Sequence, residues 1–320
     1  MPSAGSDVSR PSAVRAVVAT ATATATVAVA VLAGCGPSRS TATPPVTVAV
    51  VDTGAAPVGS LAGRLVDGVR CAPTCSPGAG PDVDGHGTAV ADLLVTGGDP
   101  DDEPADVAVL PVRVSDDRGA LSVPGVAAGI RWTAERGVPV VALPLVLGGD
   151  GDVSDSIRSS PQTLFVVPAG NDGLDVDEQS VPVHPCVDPA PNVLCVAASD
   201  AAGRLSDSSN RGRTSVDLAA PGVDLRTLDP AGRTVRVSGT SFSVPLVARA
   251  AAGLLAARPG TDPATLAEAI RCGVRPSVPP NDTAGGGVLD VARAAEALSG
   301  SAGRPDGAAD PSRPCRGSLG

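Results

Sequence analysis

Residues 46–54 read Val46-Thr47-Val48-Ala49-Val50-Val51-Asp52-Thr53-Gly54. The run is short, β-branched-rich and closes on a carboxylate, a hydroxyl and a glycine. That is how a buried strand of a parallel sheet reads where it runs into a turn. Working outward, similar apolar runs recur at 107–114, 138–147, 164–167 and 193–198. Helical patterns lie between and after them, at 86–95, 124–136, 241–258, 262–272 and 289–298. Strand–helix alternation predicts an α/β fold with a mostly parallel central sheet and helices on both faces. No internal repeat or linker interrupts residues 46–298, so one domain is expected there.

Composition narrows the function classes. The chain has 320 residues, 24 basic against 34 acidic, and a formal charge of −10. An acidic chain lacks the basic surface that nucleic acids demand, which excludes a nucleic-acid partner. Every basic residue is arginine, and Trp132, Phe165 and Phe242 are the only aromatic residues. The core must therefore be built from Val, Leu and Ala. The 38 glycines and 32 prolines, with 42% hydrophobic residues, exclude a coiled coil, a polytopic membrane protein and a wholly disordered chain.

The ends point to export. Arg10 and Arg15 precede an apolar run from Ala16 to Gly34, and Leu32-Ala33-Gly34-Cys35 follows at its end. This resembles the bacterial lipobox, which implies a signal peptide over 1–34, lipid on Cys35 and a membrane contact through that lipid alone. A plain N-terminal anchor and ordinary secretion are the alternatives, and all three export the chain. Residues 35–45 then read as a Ser/Thr/Pro-rich tether, and 299–320 as a poorly ordered Gly/Pro/Ser/Asp-rich tail. With Cys35 lipidated, six cysteines remain in an oxidising compartment. Proximity in sequence suggests Cys71–Cys75, Cys186–Cys195 and Cys272–Cys315, among 15 pairings that six cysteines allow.

Chemistry concentrates in four segments. Asp52-Thr53-Gly54 is ambiguous alone, since aspartic proteases also carry Asp-Thr-Gly but need two such carboxylates in one site. Asp84-Gly85-His86-Gly87-Thr88 places one of the chain's two histidines at a helix start, between glycines. His184 has no such context and reads as structural. Ser238-Gly239-Thr240-Ser241-Phe242-Ser243-Val244-Pro245 puts Ser241 at the N-terminus of a long apolar helix, where free N–H groups favour developing negative charge. Ser241 as a helix cap and Asn171 as a turn residue are the bland readings. Asp52, His86 and Ser241 follow one another at separations of 34 and 155 residues. That order of Asp, His and Ser is the subtilisin one.

VAVVDTG, DGHGTAVA, VVPAGNDG and SGTSFSVP, with SVDLAAPGVDL just before the last, resemble the subtilisin-like serine proteases (peptidase family S8). The resemblance implies the subtilisin three-layer fold and a serine endopeptidase acting on polypeptides. It also implies the triad Asp52, His86 and Ser241, with the Asn171 amide and the Ser241 N–H as the oxyanion hole. Leu147, Gly148, Ala169 and Gly170 are implied to line the substrate, and a monomer is expected. No cofactor is required. The family leaves room for structural calcium, but Asp99–Glu103 and Asp172–Glu178 show no defined ligand spacing, so no metal is expected.

The match has gaps. Pro144-Leu145-Val146-Leu147-Gly148 replaces a more polar substrate strand, and Pro144 removes one N–H donor. Residues 150–160 look too short and polar for a helix. The 16 residues between Cys35 and Asp52 leave no room for the family's inhibitory prodomain. Two further readings stay open: a catalytically silent subtilase fold that binds a partner, and a mycosin-like processing protease of a secretion system.

Overall fold

Each strand of the central sheet sends alternate side chains to opposite faces, and here both faces are apolar. Val48 and Val50 pack into one core while Ala49 and Val51 pack into another, and the same split recurs at Leu164/Val166 against Phe165/Val167. A strand buried on both sides cannot alternate polar and apolar residues, which is why these runs are continuous in sequence.

The computed structural model describes residues 44–99, 103–148, 151–180, 182–188, 190–277 and 282–301. Along the chain run β1 (Val46–Asp52), β2 (Val69–Cys71), β3 (Cys75–Pro77), α1 (His86–Thr96), β4 (Val107–Arg113) and α2 (Val123–Glu135). Next come β5 (Val140–Ala142), β6 (Leu147–Gly148), α3 (Gly151–Arg158), β7 (Leu164–Pro168), β8 (Val183–His184) and β9 (Val193–Ser199). The remainder is β10 (Leu218–Pro221), β11 (Leu225–Leu228), β12 (Thr234–Val237), α4 (Thr240–Ala257), α5 (Pro263–Cys272), β13 (Val274–Pro276), β14 (Gly287–Leu289) and α6 (Val291–Ser301).

Ten strands form one sheet in the order β13-β14-β10-β9-β7-β5-β1-β4-β2-β3. Neighbours from β14 to β2 pair parallel, and an antiparallel pair closes each edge. Helices α1, α4, α5 and α6 cover one face, and α2 and α3 the other. The expected three-layer α/β architecture is present. The chain leaves β1 for β4 on one side and returns to β5 on the other. The crevice beyond the C-terminal ends of β1 and β5 is thus a topological switch point, where open α/β sheets bind ligands.

Two expectations need correction. Residues 151–158 do form a helix, α3, because Val153 and Ile157 stand one turn apart and both are fully buried beneath an otherwise polar surface. The run 138–147 is two strands rather than one, with the chain leaving the sheet between Ala142 and Leu147. Disulfides join Cys71 to Cys75 and Cys186 to Cys195, as their proximity suggested. Cys272 is also disulfide-bonded. Its expected partner Cys315, together with the signal segment, Cys35, nearly all of the tether and most of the tail, lies outside the described residues.

Candidate active site

The four segments singled out in sequence meet at the switch point. Asp52 is the last residue of β1, and its side chain is fully buried. His86 is the first residue of α1 and keeps its ring 26% exposed. Its Nδ1 lies 2.9 Å and 2.8 Å from the two Asp52 oxygens. The approach depends on Gly87: a Cβ there would sit 2.1 Å from the Gly54 carbonyl oxygen, so only glycine lets α1 start this close to β1. Thr53 N donates to Asp52 Oδ1 at 2.6 Å and fixes the carboxylate from the other side.

Charge follows geometry. Burial pushes the His86 imidazole down, but the charge and hydrogen bond of Asp52, with the charges of Asp84 and Asp82, outweigh it and raise its pKa above the ordinary value. The His86 ring lies 5.2 Å, centroid to centroid, from the ring of Phe242, tilted at 47° to it.

Ser241 lies in the first turn of α4, after Gly239 with φ +142°. Its hydroxyl donates to the Pro144 carbonyl at 2.9 Å. Asn171 follows β7 on an exposed loop, and its Oδ1 accepts from Thr240 N at 2.9 Å and from the Thr240 hydroxyl at 3.1 Å. With its oxygen held, the amide can offer only N–H donors elsewhere. Gly170 adopts φ +103°, and a Cβ would meet Asn210 Nδ2 at 2.4 Å. Asn210, fully buried, accepts from Asp172 N and Leu174 N and donates to the Ala169 carbonyl, so it props the Asn171 loop from beneath.

Leu147 and Gly148 form β6, which pairs antiparallel with β8 through Leu147 and His184. Leu147 and Ala169 are buried. His184 Nδ1 contacts Asp188 Oδ1 at 3.0 Å and Ser154 Oγ at 3.5 Å, bracing β8 against α3. Among the described residues, no three His, Cys, Asp or Glu side chains group closely enough to hold a metal ion. In the second acidic stretch, Asp177 instead accepts from Thr214 N and Ser215 N. Sequence reasoning missed Asp82, Thr240, Asn210 and the Pro144 carbonyl. Only Asp82 carried a signal: an aspartate just upstream of a glycine-rich helix start gathers backbone N–H groups.

The family model for the subtilase family matches residues 44–274, which is most of the chain and spans every one of these groups. The chain belongs to the subtilase family. It is 32% identical to a cell wall-associated protease of Bacillus subtilis (strain 168) over 183 residues, covering 55% of this chain and 20% of that protein. Against a subtilisin-like protease of Coccidioides posadasii (strain C735) it is 35% identical over 190 residues, covering 55% of this chain and 44% of that protein. It thus spans less than half the length of these two curated relatives. The solved protease domain of PatA superposes with a TM-score of 0.67 at 27% identity, covering 80% of this subtilase and 96% of that chain.

Proposed function

We propose that this subtilase is an exported serine endopeptidase that cleaves polypeptides through an acyl-enzyme, with Asp52, His86 and Ser241 as its triad. One observation carries the reading: a fully buried carboxylate engages Nδ1 of a partly exposed imidazole, at the end of the sheet where Ser241 lies in the first turn of α4. Serine is a weak nucleophile at neutral pH and needs a base. For attack, the Ser241 hydroxyl turns from the Pro144 carbonyl to Nε2 of His86, which takes the proton. Asp52 holds Nδ1 protonated and stabilises the imidazolium without accepting the proton. The Asn171 amide and the Ser241 N–H, at the positive end of α4, stabilise the oxyanion. His86 then protonates the leaving amine, and water repeats the cycle on the acyl-enzyme. No step calls for a metal or organic cofactor.

Because Leu147 is buried, β6 has mainly backbone to offer an extended peptide, which would add to it as a strand. Lipid on Cys35 would hold the monomeric enzyme at the outer face of the cell membrane, with secretion as the alternative. The disulfides are in keeping with such an oxidising compartment. A second reading, a catalytically silent fold, draws on the Ser241 hydroxyl donating to a carbonyl instead of the imidazole. Peptide hydrolysis by purified wild type, abolished in Ser241→Ala, supports the enzyme. Equal hydrolysis by both would refute the serine assignment, and a folded wild type inert across a broad peptide library would favour the silent fold.

A further inference from the structure

Behind the imidazole lies a carboxylate to which the proposed mechanism gives no task. Asp82 is 6% exposed. Its Oδ1 accepts from the Thr53 hydroxyl and Gly85 N, both at 2.9 Å, and from Asp84 N at 3.2 Å. Its Oδ2 accepts from the Thr88 hydroxyl at 2.6 Å and from Thr88 N at 2.8 Å. These donors come from both halves of the Asp52–His86 junction. Thr53 follows Asp52 and holds its carboxylate, whereas Gly85 precedes His86 and Thr88 completes the first turn of α1. The Thr53 hydroxyl closes the ring by accepting from Gly87 N at 2.9 Å.

The strut is itself anchored. Arg113, 1% exposed, stands opposite Asp52 in the register of β1 and β4 and donates from Nη1 to the carbonyl of Pro81, the residue before Asp82. Its Nε donates to Ser115 Oγ, which donates in turn to the Thr53 carbonyl. A carboxylate that merely capped α1 would have no need of Thr53, and one that merely closed a loop would have no need of Thr88.

We propose that Asp82 is a positioning residue that locks the end of β1 to the start of α1 and so fixes the Asp52 carboxylate against the His86 ring. The proposal rests on the triad reading above. Burial pushes the Asp82 carboxyl up, but hydrogen bonds from the Thr88 hydroxyl, the Gly85 and Thr88 N–H groups and Thr53 outweigh it and hold its pKa below the usual range. Asp82 is therefore an anion at neutral pH, near an α-helix N-terminus that favours one. The charged groups acting on the imidazole are Asp52 from β1 and Asp84 and Asp82 from the preceding loop, while the Phe242 ring from α4 adds no charge.

The test compares the full chain as wild type, Asp82→Asn, Thr53→Val and Thr53→Ser, measuring peptide hydrolysis against pH alongside thermal melting. Asp82→Asn turns an N–H₂ group toward donors that need an acceptor and removes the charge. The expected result is a kcat lower by about 10- to 100-fold with KM little changed, the scale of a small misplacement of a catalytic group. The acid limb of kcat/KM moves to lower pH, because His86 loses one of the carboxylates raising its pKa. A folded Asp82→Asn protein with wild-type kcat and an unmoved acid limb overturns the proposal. Should Asp82→Asn fail to fold, the Thr53 pair decides: Val lowers kcat while Ser, which keeps the hydroxyl, retains most of it, and equal activity of the two overturns the proposal. Wild-type hydrolysis that does not depend on Ser241 sinks the triad reading and the proposal together. Ser241-dependent hydrolysis with an indifferent Asp82→Asn sinks the proposal alone.

Discussion

At the scale of single residues, the candidate site separates atoms proposed to react from atoms that hold them. Asn171 illustrates the division: Thr240 fixes its carbonyl oxygen from two donors, so that in the proposed mechanism the amide nitrogen would serve the oxyanion. Asn171→Ala is expected to lower kcat by about 10²–10³-fold with KM little changed, since the lost interaction strengthens only in the transition state. Steady-state kinetics on one peptide substrate checks this, and a loss confined to KM would contradict it. His86 supplies a second expectation. Its pKa is raised, and in the proposed role as base it must be neutral to take the serine proton. Activity should therefore fall with decreasing pH through a midpoint above that of an ordinary histidine, and a kcat/KM profile records where. Asp52, His86, Asn171 and Ser241 could be picked out in sequence as candidates because each lies in a glycine-containing motif beside an apolar run. Asn210 was not, because its importance lies in contacts with Ala169 and Asp172, about 40 residues away along the chain.

At the scale of elements, what could be read from sequence depended on whether local pattern or tertiary contact decided the conformation. β1, β4, β7 and β9 are buried on both faces, so their apolar runs announced them. α3 was misread because two buried residues, Val153 and Ile157, suffice to dock it while the rest of its surface is polar. β6 and β8 have two residues each and exist through their mutual pairing, which no local pattern encodes. Beside them, the disulfide Cys186–Cys195 ties the turn after β8 to the central strand β9. Replacing both cysteines by serine is expected to cost about 2–3 kcal/mol, the chain-entropy value for so short a loop. Denaturant unfolding of the two proteins measures it, and an unchanged midpoint would show that the bond adds no stability.

At the scale of the whole molecule, the switch in strand order around β1 is what gathers groups from Asp52 to Ser241 into one crevice. The alternation of strands and helices foretold a parallel sheet, but the order of its strands was set by packing that sequence period does not carry. In the proposed reading export would be encoded separately, in the lipobox-like Leu32-Ala33-Gly34-Cys35. Mature protein from its native host is expected to begin at an acylated Cys35 and to partition with membranes. Mass spectrometry of the N-terminal peptide tests this, and an unmodified N-terminus elsewhere would contradict it. The most direct test of the central claim is peptide mapping after labelling with a fluorophosphonate, which reacts with activated serines. A single adduct on Ser241 is expected in the wild type, lost in Ser241→Ala and nearly lost in His86→Ala. An unlabelled wild type, or an adduct that persists at full rate without His86, would contradict it.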